Sequence, residues 1–180
     1  MDNSGEQIRE KISIESPREE DANAIIVIIK EGYMETFLDE ERGITREVIE
    51  HNFSKIFGPT ENFIQGIEEQ EDIKCFVAKR NGLIVGVLIW DENEKSNEVR
   101  GFFVKPEARG IGLFLMAAAQ KTMNQGKNVA LWVDENNTKA RALYERLGFS
   151  LTGDARDDEW ETLQGKVLVQ HNLEMTRKLG

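Results

Sequence analysis

Apolar residues along the chain recur with two different spacings, one typical of helices and one typical of strands. In four segments they return every three or four positions, and residues that cap or end helices flank each segment. Helices are therefore predicted over residues 17–32, from residue 45 onward, over residues 113–125 and over residues 137–147. The first is expected to begin at the pair Ser16-Pro17 and to end at Gly32.

Elsewhere the spacing changes to two, which is typical of strands. Two strands from residue 73 onward are joined by Asn81-Gly82, a strong signal for a tight hairpin. Further strands are predicted over residues 11–15, 98–104, 128–133, 149–153 and 166–176. The acidic, turn-rich residues 154–164 are predicted to link the last two strands. Because no repeat or linker interrupts this order, residues 1–180 are expected to form one mixed α+β domain, with residues 1–9 as a loose lead-in.

Composition excludes several classes of protein. A content of 39% hydrophobic and 31% charged residues is typical of globular proteins, and the longest apolar run, residues 24–29, is too short to cross a membrane. The net charge of −10 argues against a nucleic-acid partner. The lone Cys75 fits a reducing compartment, so a cytoplasmic location is expected. His51 and His171 have no metal-ligand spacing, and no metal is expected.

A glycine-containing loop before the third helix carries the strongest functional signal. Arg109, Gly110 and Gly112 follow a strand and precede a helix, whose free N–H groups and positive dipole end favour phosphate oxygens. A nicotinamide dinucleotide is one ligand to consider, with Asp134 as its ribose-binding carboxylate. It is disfavoured because Leu115 stands where a third glycine is needed and the preceding strands look antiparallel.

Two sequence blocks resemble the GNAT family of N-acetyltransferases. Val104-x-Pro106-x-x-Arg109-Gly110-x-Gly112 is similar to the acetyl-coenzyme A loop of that family, Arg/Gln-x-x-Gly-x-Gly/Ala. Residues 137–149 resemble its later motif, Asn-x-x-Ala-x-x-Leu-Tyr-x-x-x-Gly-Phe. Phe114 departs from the loop pattern, and its ring either packs into the core or narrows the site. The resemblance implies the GNAT fold, a mostly antiparallel seven-stranded sheet flanked by about four helices.

The resemblance also implies an activity and a cofactor. The chain would be an acyltransferase that moves an acetyl group from acetyl-CoA to an amine by direct attack, without a metal. Backbone groups of the strand and loop, the Arg109 side chain and a helix-capping Asn would bind the cofactor. The cofactor-binding residues so implied are Phe102, Phe103, Val104, Arg109, Gly110, Ile111, Gly112, Leu113, Phe114, Asn137 and Tyr144.

Tyr144 and Glu98 are the catalytic candidates that the resemblance implies. A phenol with a pKa of about 10 keeps its proton at neutral pH, so Tyr144 could protonate the departing thiolate. Helical spacing alone favours a core position for this ring. Glu98 would take the proton from the amine, with Asp91 and Glu92 as alternatives, although an edge-strand surface charge explains Glu98 equally well.

Acceptor-binding residues are expected in the segment after the first helix, at the end of one strand and before the last strand. They are Tyr33, Phe37, Trp90, Asp91 and Trp160. Aromatic and acidic side chains suit a cationic amine, whether on a small molecule or on a protein. A small-molecule amine is the expected acceptor. A protein N-terminus or lysine is the alternative acceptor, and a non-catalytic CoA-binding sensor is the alternative of another class. Family members often dimerise, which leaves a homodimer open.

Overall fold

Seven strands form one sheet in the computed structural model, which describes residues 11–58, 63–68 and 73–179. The predicted lead-in, residues 1–9, lies outside the described residues. The strands are β1 (Ile12–Glu15), β2 (Ile73–Arg80), β3 (Leu83–Glu92), β4 (Ser96–Val104), β5 (Asn128–Asp134), β6 (Ser150–Glu161) and β7 (Val167–Arg177). Their order is β1-β2-β3-β4-β5-β7-β6, and the described neighbours are antiparallel except for β4 and β5. The predicted mostly antiparallel, seven-stranded sheet is confirmed.

Helices cover both faces of this sheet. They are α1 (Ala22–Phe37), α2 (Arg46–Phe57), α3 (Phe63–Glu68), α4 (Ile111–Gln120) and α5 (Thr138–Arg146). The first three bury apolar side chains on one face, with α2 packing partly against Trp160 of β6. On the other face α4 buries an apolar stripe, and α5 packs half-buried side chains beside it. Burial of these stripes supplies the main stabilisation of the fold. In the described part of the chain, no helix is long and apolar enough to span a bilayer.

Helix α1 continues past Gly32, where the sequence predicted its end. A Cβ at Gly32 would lie 2.1 Å from Cδ1 of Phe103 on β4, so the Phe103 ring occupies the space beside this glycine. Gly32 therefore lets α1 approach the sheet rather than ending the helix.

The start of α1 also differs from the prediction. A 3₁₀ turn, Glu19–Asp21, precedes it, and the Asp21 carboxylate accepts a hydrogen bond from the Arg18 backbone N–H at 2.9 Å. Asp21 thus stabilises the helix entry that was predicted for Ser16-Pro17.

Helix α4 begins at Ile111 and ends at Gln120, five residues earlier than predicted. The buried Asn97 side chain of β4 binds the segment after the helix, donating to Asn124 O and accepting from Asn124 N, both at 3.0 Å. This long-range bond fixes residues 121–125 as a turn, so Gly126 does not end the helix.

The predicted link over residues 154–164 is wrong, because most of it belongs to strand β6. The pairing with β7 runs from Ala155 opposite Leu173 to Glu161 opposite Val167. Half of the side chains in this edge strand are charged, which discourages association through its free edge. Because few of them are apolar, the alternation that predicts a strand is missing from the sequence.

One charged pair across β6 and β7 gives a pH prediction. Asp157 Oδ1 lies 2.7 Å from His171 Nδ1 and raises the pKa of His171 by stabilising the protonated ring. This pair therefore contributes stability below the unfolded pKa, about 6.5, and the contribution is lost as the pH rises through the higher folded pKa. The Tm difference between wild type and His171→Gln is expected to be largest near about pH 5.5 and to fade in alkaline buffer. Thermal melts across this range test it, and a difference independent of pH would contradict it.

Candidate active site

The parallel strands β4 and β5 separate part of the way along their length. They pair only over residues 96–99 of β4 and 128–131 of β5. Beyond these residues β4 continues to Val104 along β3, and β5 continues to Asp134 along β7. On the β5 side, no described strand pairs with residues 100–104, so their backbone groups there can hydrogen-bond an extended ligand.

A β-bulge in β4 coincides with this split. Gly101 lies opposite Ile89 of β3 and Val99 lies opposite Trp90, so Arg100 is an extra residue between the two pairs. Bulges bend a strand and redirect its side chains, and they are common next to active sites.

The loop at the end of β4 leads into the start of α4. Gly110 has a φ of +94°, and a Cβ built on it meets no atom within 4 Å, so the loop borders open space. A Cβ on Gly112 would lie 3.0 Å from Cζ of Phe102 and 3.4 Å from Cγ2 of Val104. Glycine therefore allows the start of the helix to pack directly on the C-terminal half of β4. The positive end of the helix, beside the split and next to Arg109, fits a phosphate-bearing ligand.

Phe114, the residue that departs from the family pattern, does not pack into the core. Its side chain is 64% exposed in the first turn of α4, beside Leu113, which is 57% exposed. A bulky apolar group therefore stands in solvent near the free N–H groups of the helix start.

Helix α5 brings Asn137 and Tyr144 to the other side of the split. Asn137 caps the helix by accepting a hydrogen bond from Ala140 N at 3.0 Å. Tyr144 is half-buried against the same core as Phe102 of β4, and burial raises the pKa of its phenol to about 12. Tyr144 therefore holds its proton across the physiological range and can act only as a proton donor there.

Glu98 lies on the paired part of β4 and is buried in a charged network. Its Oε1 accepts from Arg100 Nη1 at 2.7 Å and lies 3.7 Å from Arg156 Nη1, while Oε2 accepts from Asn93 Nδ2 at 3.0 Å. Asp91, opposite Glu98 on β3, is ion-paired with the same Arg100 at 2.8 Å. These contacts fix the Glu98 carboxylate and compensate its charge.

Glu92, the other alternative base, is engaged elsewhere. Lys127 Nζ lies 2.8 Å from Glu92 Oε1, and the hydrogen bonds from Lys127 and Asn124 lower the pKa of Glu92. Among the described residues, no group of His, Cys, Asp or Glu side chains is arranged to hold a metal ion.

Three of the predicted acceptor residues meet on the face that α1 covers. The ring of Phe37 lies 5.1 Å from that of Tyr33 and 5.1 Å from that of Trp160, and the Tyr33 ring lies 5.8 Å from that of Phe103. We call Tyr33, Phe37, Phe103 and Trp160 the aromatic wall. Burial and the nearby charge of Asp158 raise the pKa of Tyr33 to about 12, so its phenol stays neutral.

The structure places Trp90 away from this wall. Trp90 is 3% exposed and its ring packs on Phe76 at 5.2 Å, in the core of the opposite face. Its neighbour Asp91 pairs with Arg100 and lies in the charged network described above.

A cleft of about 240 Å³ lies between the end of α1 and the start of α5. Phe37 of the aromatic wall and Asn137 of the expected cofactor site both line it. Arg42 spans the cleft, with Nη1 3.5 Å from Asp134 Oδ2 and Nη2 donating to Val169 O at 3.2 Å. The cleft therefore joins residues that the sequence assigned to two different ligands.

Sequence reasoning missed the charged residues Arg100, Arg156 and Asp158. Arg156 and Asp158 fall in the segment predicted as a link, although their two-residue spacing with Trp160 is typical of one face of a strand. Arg100 is displaced by the bulge, for which the sequence offers no clear signal.

Comparisons with known proteins agree with this architecture. The sequence model described as the acetyltransferase (GNAT) family matches residues 34–149. No curated protein matched the chain.

Solved structures show the same fold. A PaiA N-acetyltransferase from Thermoplasma acidophilum in complex with coenzyme A is 20% identical, with a TM-score of 0.71 over 94% of this chain and 99% of that one. A ribosomal-protein-alanine N-acetyltransferase from Brucella melitensis is also 20% identical, with a TM-score of 0.59 over 93% and 99%. YncA from Salmonella typhimurium, a putative acetyltransferase solved with acetyl-CoA, is 15% identical, with a TM-score of 0.59 over 94% and 95%. The family match covers more than half of the sequence, and the chain belongs to the GNAT family of acetyltransferases.

Proposed function

We propose that this protein acetylates the primary amine of a small molecule, by direct attack of the amine on acetyl-CoA. Acetyl-CoA-dependent transfer follows from membership of the family. The small-molecule acceptor rests on one observation: Phe37 of the aromatic wall and Asn137 of the expected cofactor site line the same cleft between the end of α1 and the start of α5.

Bound acetyl-CoA supplies an activated thioester, and the chain offers a set of groups that fit it. In the proposal, the N–H groups from Arg109 to Phe114 and the Arg109 side chain hold the pyrophosphate. The backbone of Phe102, Phe103 and Val104 binds the pantetheine arm on the open side of β4, and an N–H there stabilises the negative charge that develops on the thioester oxygen. Asn137 and Tyr144 border the arm from α5.

Two residues move protons in this proposal. Glu98 accepts the proton that the amine loses, directly or through water, as the nitrogen bonds to the acetyl carbon. Tyr144 donates its proton to the sulfur as the carbon–sulfur bond breaks. The fixed position of the Glu98 carboxylate and the protonated phenol of Tyr144 support these roles.

The charges around the cleft favour a cationic acceptor. The carboxylates of Glu35, Asp39 and Asp134 outnumber the cations of Arg42 and Lys139 in its lining. An ammonium group is attracted by this excess of negative charge and by aromatic faces such as Phe37. A recessed cleft admits a small amine more readily than a lysine on a folded protein surface.

Calorimetric titration with acetyl-CoA, with NADH as the parallel control, tests the cofactor. Acetyl-CoA is expected to bind with a micromolar Kd, and NADH is expected not to bind. Thiol release is then measured with primary amines and with peptides that carry a free N-terminus or lysine. Thiol release with amines but not with peptides supports the proposal. Thiol release with peptides but not with amines would replace the small-molecule acceptor with a protein. If acetyl-CoA binds but neither acceptor causes thiol release, a non-catalytic sensor is favoured. The cytoplasmic location and the homodimer stay predictions.

Phe114→Ala is expected to tighten acetyl-CoA binding by about 1 kcal/mol, a factor of roughly five. The exposed ring stands beside the helix N–H groups that would meet the pyrophosphate, and a methyl group leaves them open. Calorimetry measures the change, with Leu113→Ala as the matched control because it removes a similar exposed apolar group from the same turn. Equal binding by Phe114→Ala would show that the ring does not obstruct the site, and weaker binding would show that the ring assists binding.

A further inference from the structure

Three charged or aromatic side chains of β6 project to the face that carries the aromatic wall. Arg156, Asp158 and Trp160 alternate along the strand, so they share one side of it. Trp160 belongs to the wall, and the Arg156 guanidinium lies 4.6 Å from the ring centre of Trp132. Asp158 lies between them, and its charge helps to raise the pKa of Tyr33 in the wall.

A chain of hydrogen bonds holds Asp158 in this position. Trp160 Nε1 donates to Gln170 Oε1 at 2.6 Å, Gln170 Nε2 donates to Asn172 Oδ1 at 2.8 Å, and Asn172 Nδ2 donates to Asp158 Oδ2 at 2.9 Å. Arg156 Nε lies 3.2 Å from Asp158 Oδ1. Gln170 and Asn172 are only 2% and 3% exposed. A fully bonded polar network of this kind fixes the orientation of its members.

Asp158 differs in exposure from the other carboxylates of the charged network. The side chains of Glu98 and Asp91 are 11% and 16% exposed, and both are paired with Arg100. The Asp158 side chain is 47% exposed, although its carboxylate is ion-paired with Arg156 and accepts a hydrogen bond from Asn172. It therefore offers a carboxylate to solvent beside the aromatic wall.

We propose that Asp158 binds the ammonium group of the acceptor, and that Gln170 and Asn172 are positioning residues that hold this carboxylate beside Trp160. The proposal rests on the proposed function, because the acceptor is taken to be a cationic amine. A carboxylate recognises an organic ammonium ion through a charged hydrogen bond. The half-buried Tyr33 ring, close enough to Asp158 for that charge to raise its pKa, offers an aromatic face for a cation–π contact, whereas Trp160 is buried.

The test compares Asp158→Asn with Asp157→Asn. Both variants remove one negative charge from β6, but Asp157 lies on the opposite side of the strand and pairs with His171. Calorimetry measures binding of 2-phenylethylamine and of its neutral analogue 2-phenylethanol to the full chain. Wild type and Asp157→Asn are expected to bind the amine about tenfold more tightly than the alcohol, a difference of about 1.4 kcal/mol. Asp158→Asn is expected to lose this preference. Retention of the preference in Asp158→Asn, or its absence in wild type, would overturn the proposal.

Gln170→Leu separates the positioning role from folding. It is expected to raise the KM for an acetylated amine about threefold, with the KM for acetyl-CoA unchanged, because the Asp158 carboxylate loses its fixed position. Asn97→Leu is the control: Asn97 is 1% exposed and hydrogen-bonded at another part of the sheet, so it is expected to lower Tm without changing the KM of the amine. An unchanged amine KM in Gln170→Leu removes the positioning role.

Failure of this inference differs from failure of the proposed function. Thiol release by wild type with the same amine tests the function, whereas the preference for amine over alcohol tests Asp158. If the amine binds in an Asp158-dependent way but no acetyl group is transferred, Asp158 is an ammonium-binding residue and the proposed activity is wrong.

Discussion

Tyr144→Phe is expected to lower kcat for acetyl transfer by roughly 100-fold while the affinity for acetyl-CoA stays nearly unchanged. The substitution removes only the phenol hydroxyl, and the ring keeps its packing against the core and its edge contact with Phe149 at 5.9 Å. Without a donor, the departing thiolate must take its proton from water, which is a poorer and less well-placed acid. Steady-state kinetics and calorimetry on the same preparation measure the two quantities.

Tyr33→Phe makes the same chemical change at the other tyrosine of the chain. Tyr33 lies in the aromatic wall, so its loss is expected to act on the KM of the amine rather than on the protonation of the thiolate. If Tyr144→Phe retains wild-type kcat with intact folding, Tyr144 is a packing residue and water protonates the thiolate.

Gly32→Ala is expected to destabilise the fold by about 2 kcal/mol, even though alanine favours helices. The new Cβ would lie 2.1 Å from Phe103 Cδ1, so the ring or the helix must move. Overpacking of a core costs about 1–3 kcal/mol, and a contact this short places the cost at the upper end, whereas the helix preference of alanine returns up to about 1 kcal/mol. Urea denaturation measures the change in the free energy of unfolding. In thermal melts, a decrease in Tm of about 6 °C is expected for a chain of this size.

Two further variants isolate the clash as the cause. Gly66→Ala changes a glycine in α3 whose Cβ would meet nothing within 4 Å, so it is expected to be neutral or stabilising. In Gly32→Ala/Phe103→Leu the smaller side chain makes room, and part of the loss is expected to be recovered. Additive losses in the double variant would show that the helix does not depend on this contact.

Features that depend on neighbouring residues were predictable from the sequence. Asn81 and Gly82 adopt positive φ values of 51° and 82° in the expected hairpin turn. Thr45 and Asn137 cap the helices that were predicted to begin there. In each case the turn or cap is determined by the backbone conformation or hydrogen-bonding capacity of residues at that position in the chain.

Features that depend on distant partners were not predictable. Phe103 on β4 decides that Gly32 lies inside a helix, and Asn97 decides where α4 ends. Strand β6 exists because β7 pairs with it, whereas its own charged sequence suggests a link. Of the expected acceptor residues, Trp90 and Trp160 are both buried, and only the sheet topology places Trp90 on the face that α4 covers and Trp160 in the aromatic wall on the opposite face.

The extra residue in β4 changes the phase of the whole strand. Side chains five positions apart in a regular strand point to opposite faces, yet Glu98 and Phe103 both serve the face that carries the aromatic wall. By the same shift, Val99 and Phe102 both reach the opposite core. If the same residues formed a regular strand without the bulge, either the carboxylate or the ring would point to the opposite face. The bulge thus brings a buried carboxylate and an aromatic ring, five positions apart in the sequence, to the same side of the sheet.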